Sequence, residues 1–128
     1  MGVFFFTQLF ICMNILKDIS NSEDKDIIVS LPKDKSWLEY LSYFMDLKSN
    51  EKAFSVIVST VPKTAPGKKC FIVFDGFLKG WMEISKLRET EDNDIRIELV
   101  PSITSTVHQI PMGDIEEYKY YFDNSNMQ

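Results

Sequence analysis

Two short runs of apolar and aromatic residues flank an Asp-Gly pair near the middle of the chain. The runs cover residues 70–74 and 77–84, and Asp75-Gly76 separates them. Asp-Gly favours a two-residue type I′ turn, because both central residues of that turn need a positive φ. The pattern therefore predicts a β-hairpin, and simple pairing outward from the turn places Phe71 opposite Gly80.

The two faces of this predicted hairpin differ in character. One face is interpreted as the core side and carries Phe71, Val73, Leu78, Gly80, Met82 and Ile84. On that face, Gly80 leaves space for the Phe71 ring to cover it. The other face carries Ile72, Phe74, Phe77, Lys79, Trp81 and Glu83. This mixed face is either a second buried face or a binding surface.

A helix is predicted upstream of the hairpin. Ser36 and Glu39 have the spacing of a capping box, in which the Ser hydroxyl and the Glu carboxylate each accept a hydrogen bond from a free backbone amide. The expected buried face of this helix consists of Trp37, Leu38, Leu41, Phe44 and Met45.

Further strand patterns surround these elements. The β-branched run at residues 27–31 ends before Pro32, and residues 95–99 alternate apolar with charged side chains. Other candidate strands cover residues 52–61, 102–108 and 117–122. Together the patterns predict an α+β fold, a small mixed β-barrel of about six strands with one main helix.

The chain divides into three parts by composition. Residues 1–25 form an apolar leader and a polar linker, residues 26–123 a single barrel domain, and residues 124–128 a tail. The leader is shorter than the ~20 apolar residues that a membrane-spanning helix needs, so we expect no membrane span. It is an ordered element packed on the domain, the product of a start codon upstream of a true initiator at Met13, or a membrane or signal segment.

Charge and cysteine content restrict the function classes. The formal net charge of -5 disfavours non-specific binding to a phosphate backbone, although a local basic patch remains compatible with it. Two widely separated cysteines and one histidine offer too few ligands for a zinc site, so we predict no metal and no cofactor. The same cysteine usage suits a reducing compartment, and we expect a cytoplasmic protein.

Catalytic signatures are weak. His108 is the only imidazole available as a general base, and Gly67-Lys68 lacks the upstream glycine of a phosphate-binding loop. The acidic runs at residues 89–92 and 116–117 have no catalytic spacing and are interpreted as solvated turns. The sequence therefore favours a non-enzymatic protein.

The order of elements resembles the PUA-like superfamily, and within it the ASCH-type small β-barrels. A helix and a strand are followed by a Pro/Gly turn that ends in Gly67, by a further strand, and by Asp75-Gly76 and a strand that contains Gly80. The resemblance rests mainly on residues 66–71 and 75–80. The resemblance implies a PUA-like barrel and a ligand cleft beside it, in which members of the superfamily bind RNA or modified bases. It also implies an ASCH-type amidohydrolase activity, although only Lys63 and Thr64 match the ASCH motif, whose Glu and Arg are missing here.

Three functions follow as hypotheses. The first is a small binding module that recognises RNA, a nucleotide or a modified base, because aromatic rings stack on bases while ammonium groups engage phosphates. Its candidate ligand-binding residues are Lys63, Thr64, Phe77, Lys79 and Trp81. The alternative is a protein-protein interaction domain or an immunity-type accessory protein, suggested by the acidic charge and the many aromatic residues. The third is the ASCH-type amidohydrolase.

Overall fold

A computed structural model describes residues 24–121 of the chain. The leader with Met13, all but the end of the linker, and the predicted tail lie outside these residues. The described elements are β1 Ile27–Leu31, α1 Trp37–Ser49, β2 Phe54–Val58, β3 Lys69–Phe74, β4 Phe77–Glu89, β5 Ile95–Leu99, β6 Thr104–Pro111 and β7 Lys119–Tyr120.

The strands form one mixed sheet that curls into a half-barrel, so the predicted α+β barrel-like architecture is confirmed. The strand order is β2-β5-β4-β3-β1-β7, and β6 pairs with β4 outside this path. Strands β1 and β3 run parallel, whereas the other pairs are antiparallel. The long strand β4 pairs with β3 and β6 along its first half and with β5 along its second.

Hydrogen bonds through side chains join the segment after β2 to the segment around β7. The Glu117 carboxylate accepts bonds from the Ser59 amide and hydroxyl at 2.9 and 3.1 Å. The Thr60 and Tyr118 hydroxyls are 3.0 Å apart, and the Lys63 amide donates to the Tyr120 hydroxyl. These contacts hold one end of the half-barrel together without strand pairing.

Helix α1 begins as predicted but buries a different face. Both bonds of the Ser36–Glu39 capping box are present. However, Leu38 is 76% exposed and Met45 is 69% exposed, so their predicted burial is wrong. The residues that contact the core are Trp37, Tyr40, Leu41, Phe44 and Leu47. Tyr40 enters this face because its hydroxyl donates to the Pro32 carbonyl at 2.8 Å, which satisfies the polar end of a buried ring.

The hairpin turn is confirmed, but its outer register is not. Asp75 and Gly76 both have positive φ, at 53° and 83°, as a type I′ turn requires. A bulge then shifts the pairing, so that Ile72 lies opposite Gly80 and Phe71 lies opposite Trp81. The predicted contact of Phe71 over Gly80 is therefore wrong.

The shift also changes which residues share a face. The main core, under α1, contains Cys70 and Ile72 of β3 with Met82 and Ile84 of β4. A second cluster on the other side of the sheet contains Ile28, Phe71, Val73, Leu78 and Ile115, with Trp81 packed against it. The single core face predicted for the hairpin is thus divided between two clusters, because a bulge inverts the alternation of side chains beyond it.

Candidate functional site

The structure places the five predicted ligand-binding residues in three separate locations. Lys63 and Thr64 lie in the loop between β2 and β3. The Lys63 carbonyl accepts a bond from the Lys25 amide at 2.9 Å, and its own amide donates to the Tyr120 hydroxyl at 3.0 Å. The Thr64 hydroxyl is buried and has no hydrogen-bond partner within residues 24–121. This loop is part of the closed end of the half-barrel.

Phe77 and Lys79 lie at the start of β4. The Lys79 ammonium donates to the Gln109 side-chain oxygen at 2.9 Å and stands 5.7 Å from the centre of the Trp37 ring. Phe77 is 41% exposed and pairs with Phe74 across the turn. Lys79 is therefore associated with the start of α1 rather than with Trp81.

Trp81 lies on the opposite side of the sheet, where a small basic and aromatic surface surrounds it. Its half-buried ring has the Lys69 ammonium 4.6 Å from its centre. Phe71, the strand neighbour of Trp81, stacks on Tyr121 with ring centres 3.9 Å apart. Across the neighbouring strands, Phe71 pairs with Ile28, and Ile28 pairs with the exposed Lys119. Lys119 therefore lies in the same cross-strand row as Trp81. We call Lys69, Trp81, Lys119 and Tyr121 the outer aromatic surface.

A groove lies between α1 and the open side of the half-barrel. It has a volume of about 460 Å³. Its lining includes Lys35, Tyr40 and Tyr43, together with residues 30–32 at the end of β1, where the Tyr40 hydroxyl is bonded to Pro32. Four consecutive residues of β2, numbered 54–57, line its length. None of the five predicted residues lines this groove.

Within residues 24–121, strand β2 has one edge that pairs with no other strand, and this edge borders the groove. One edge pairs with β5 from Phe54 to Val58, and β2 ends the strand order of the described sheet. On the side of the other edge, the Ser59 amide just beyond the strand donates to Glu117. The backbone groups of alternate residues along this stretch point away from β5 and are therefore directed to the groove.

The two ends of the groove differ in charge. The Lys35 ammonium lies 5.7 Å from the Tyr40 ring centre and 5.5 Å from that of Tyr43, a distance at which a cation is attracted to an aromatic face. Glu117 lines the other end. Burial, followed by the hydrogen bond to Asp34, raises the pKa of Tyr40 to about 12, so its hydroxyl stays a donor at neutral pH.

A second cavity is formed entirely by the hairpin between β4 and β5. Its volume is about 400 Å³, and its lining consists of Arg88, Glu89, Thr90, Glu91, Asp92 and Arg96. These side chains belong to one exposed turn and its flanking strands, and Arg88 is already paired with Glu98. We therefore regard the groove beside α1 as the candidate site.

Two kinds of reactive site, a reactive thiol and a metal centre, can be assessed within residues 24–121. Burial raises the pKa of the Cys70 thiol far above its ordinary value, which keeps it protonated and unreactive. Within residues 24–121 there is no group of three His, Cys, Asp or Glu side chains placed to hold a metal ion. From the described residues, the groove contains aromatic rings, one cation, one carboxylate and a strand edge.

Sequence reasoning missed the residues that form the groove. Tyr40 and Tyr43 are three positions apart and therefore lie on one side of a helix, a spacing that was visible in the sequence. The segment FSVIV of β2 contains neither a charged residue nor a proline, which is unusual for a strand at a sheet edge. The sequence alone did not reveal that β2 is an edge strand, because strand order depends on tertiary pairing.

Comparison with known proteins gives no relative from which to transfer a function. The chain matches no protein-family model, no curated protein and no solved structure. No helix within residues 24–121 has both the length and the apolar character needed to cross a membrane. What can be said of function therefore rests on the geometry of the groove and of the outer aromatic surface.

Proposed function

We propose that this protein is a non-catalytic binding module whose partner is a segment of another protein, held in the groove between α1 and the half-barrel. The observation that carries the proposal is the edge of β2 that pairs with no strand of residues 24–121 and lines one cavity with the rings of Tyr40 and Tyr43. Aromatic walls supply contact area at low conformational cost, and a strand edge supplies directional hydrogen bonds.

Charge favours a protein partner over a nucleic acid at this groove. Among the lining residues within 24–121, Lys35 is the one cation, and Glu117 opposes it at the other end. Nucleic acids need several cations along the path of the phosphates, and the chain as a whole carries a net charge of -5. A protein segment carrying both signs of charge complements this arrangement better.

The PUA-like assignment belongs to this proposal. It is supported by the order of helix, strand, Gly67 turn and tight hairpin, with Gly67 at a φ of 95° immediately before β3. It is also supported by a ligand-sized groove between the helix and a curled sheet, which is the position the resemblance implies for a cleft.

RNA or a nucleotide-like ligand is the second candidate, and it would use a different site. Trp81, Lys69 and Lys119 lie together on the outer aromatic surface, and Tyr121 stacks nearby. Partly exposed aromatic rings beside ammonium groups are suited to stacking on bases and contacting phosphates. The two candidates therefore use different side chains and are separable by mutation.

The test is a binding comparison with the full chain. Twelve-residue peptides selected from a displayed library and short single-stranded RNAs are titrated against the unaltered protein and two variants. We expect Tyr43→Ala to weaken binding of the selected peptides about tenfold, because it removes an exposed aromatic ring from the groove. The control Leu38→Ala, on the outward side of α1, should leave peptide binding unchanged. RNA binding that is lost in Trp81→Ala, without any peptide binding, would replace the proposal by the second candidate.

A further inference from the structure

We infer that the partner segment binds as an added β-strand along the free edge of β2. This inference rests on the proposed function, and it specifies how the groove recognises its partner. Strand addition uses backbone hydrogen bonds for affinity and pockets for alternate side chains for specificity. Both features are present in the groove.

The composition of β2 supports strand addition. Edge strands are usually protected from pairing by charge, proline or short length. Strand β7, at the other end of the strand order, is two residues long and contains the charged Lys119. Strand β2 has five residues, FSVIV, with no charge and no proline. The edge of β2 lies inside the groove and carries none of these protective features, so an incoming strand can pair with it.

The direction of the backbone groups can be assigned from one contact. The Ser59 amide, one residue beyond β2, points away from β5 and donates to Glu117 at 2.9 Å. In an antiparallel pair, successive residues direct their backbone groups to opposite edges, so Ser55 and Ile57 share the orientation of Ser59. Their amides and carbonyls therefore face the groove and provide up to four bonds for an incoming strand.

The ends of the groove set the charge pattern of the incoming strand. Tyr43 links Lys35 to the Phe54 end of β2, because its ring is 5.5 Å from the Lys35 ammonium and 6.0 Å from the Phe54 ring centre. Glu117 lies at the Ser59 end. The occupant is thus an extended segment of about five residues, as long as β2, with an acidic residue at the Phe54 end and a basic residue at the Ser59 end.

Backbone methylation of a selected peptide tests the inference directly. A synthetic peptide from the library selection is prepared with single N-methyl groups at successive positions, and each form is titrated by fluorescence anisotropy against the full chain. We expect alternating sensitivity: methylation at positions that pair with β2 weakens binding about tenfold or more, and methylation at the intervening positions has little effect. Uniform insensitivity would overturn strand addition.

Two variants provide independent readouts. Ile57→Pro removes an amide that faces the groove and leaves pairing with β5 to the neighbouring residues, so it should abolish peptide binding. The matched exchange Lys35→Glu with Glu117→Lys should reverse the preferred charge order of the peptides, and it does not depend on the folding of a proline variant. Retention of the original charge order in the exchanged protein would contradict the inference.

The outcomes distinguish this inference from the proposed function. If Tyr43→Ala weakens peptide binding but backbone methylation does not, the proposed function stands and strand addition is overturned. Failure to select any peptide overturns both. Self-association of the full chain that Ile57→Pro abolishes, measured by sedimentation, would identify a second copy as the occupant and overturn a foreign partner.

Discussion

At the scale of single residues, Gly80 shows how a close backbone approach determines a residue type. A Cβ atom built on Gly80 would lie 2.2 Å from the carbonyl oxygen of Thr104 in β6. That atom belongs to the backbone of a paired strand and cannot move independently. Gly80 therefore permits β6 to approach the bulge in β4, which is a different reason from the aromatic cover expected from the sequence.

We expect Gly80→Ala to destabilise the protein by about 2–3 kcal/mol, because β6 must shift to accept the methyl group. Chemical denaturation in urea measures this change. Gly113→Ala is the matched control: its Cβ would meet nothing within 4 Å, and its φ of 70° alone should cost about 1 kcal/mol. Equal losses in the two variants would contradict the role assigned to the contact with Thr104.

Tyr40 links burial to the pH dependence of stability. Its pKa is raised to about 12 in the folded protein, above the ordinary value near 10. The folded state therefore holds this proton more tightly than the unfolded state, and the associated stability is complete below pH ~10 and is lost as the pH rises towards 12.

The corresponding prediction compares the unaltered protein with Tyr40→Phe across this range. Near pH 8 the unaltered protein should be more stable by about 1 kcal/mol, because the hydroxyl bonds to Pro32 and Asp34. This advantage should shrink between pH 10 and 12 in urea denaturation series. A difference that stays constant over the whole range would contradict the assignment of the raised pKa.

Cys70 gives a test of core integrity at the same scale. Its side chain is fully buried, and burial raises the pKa of the thiol. In a Cys12→Ser variant, which leaves Cys70 as the remaining cysteine, we expect no reaction with a disulfide reagent until the protein is unfolded. Rapid labelling under native conditions would show that the core beneath α1 opens or is packed differently.

At the scale of elements, the capping box is a local signal that the structure reproduces in full. Ser36→Ala should destabilise the protein by about 1 kcal/mol, because the Glu39 amide loses its hydrogen-bond acceptor. Thermal or urea unfolding measures the loss. Ser42→Ala, the same substitution at an exposed position within α1, should be neutral or slightly stabilising. Equal effects at both positions would exclude a capping contribution.

The elements that the sequence predicted well are those determined by neighbouring residues. The turn at Asp75-Gly76, the start of α1 and the strands at residues 27–31 and 95–99 depend on dihedral preferences, caps and local alternation. These signals act over a few residues, so they are readable without tertiary information. The bounds of β2 and β7 are shorter than predicted because pairing partners, which are distant in sequence, determine where a strand ends.

The errors arose where tertiary contacts override the local pattern. The alternation of apolar and polar residues does not indicate the bulge opposite Ile72 and Val73. Because of this bulge, Trp81 and Lys79 do not share a face of the sheet. The helix face changed because Tyr40 finds acceptors at Pro32 and Asp34, whereas hydropathy ranked Leu38 as the better core residue. The predicted site grouped Phe77, Lys79 and Trp81 because all three were assigned to one face of the hairpin. The bulge places Lys79 near Trp37 and Trp81 near Lys69, so this grouping does not hold.

At the scale of the whole molecule, the half-barrel is closed at one end and open at the other. Glu117, Tyr118 and Tyr120 connect the β2 and β7 sides at the closed end through side-chain bonds. At the open end, the β2 edge faces the end of β1 beneath α1. In the described part of the chain the sheet ends at β2, which carries no charged residue and borders an aromatic groove, so one further strand can be added there.

The central claim is that this groove is the binding site, and amide mapping by NMR tests it most directly. The full chain, labelled with ¹⁵N, is titrated with a library-selected peptide while the backbone amides are followed. We predict the largest shifts at Ser55 and Ile57 of β2 and at Lys35 and Tyr43 near α1, with slower hydrogen exchange of the two strand amides. Shifts centred on Trp81 and Lys69, with the β2 amides unaffected, would contradict the account.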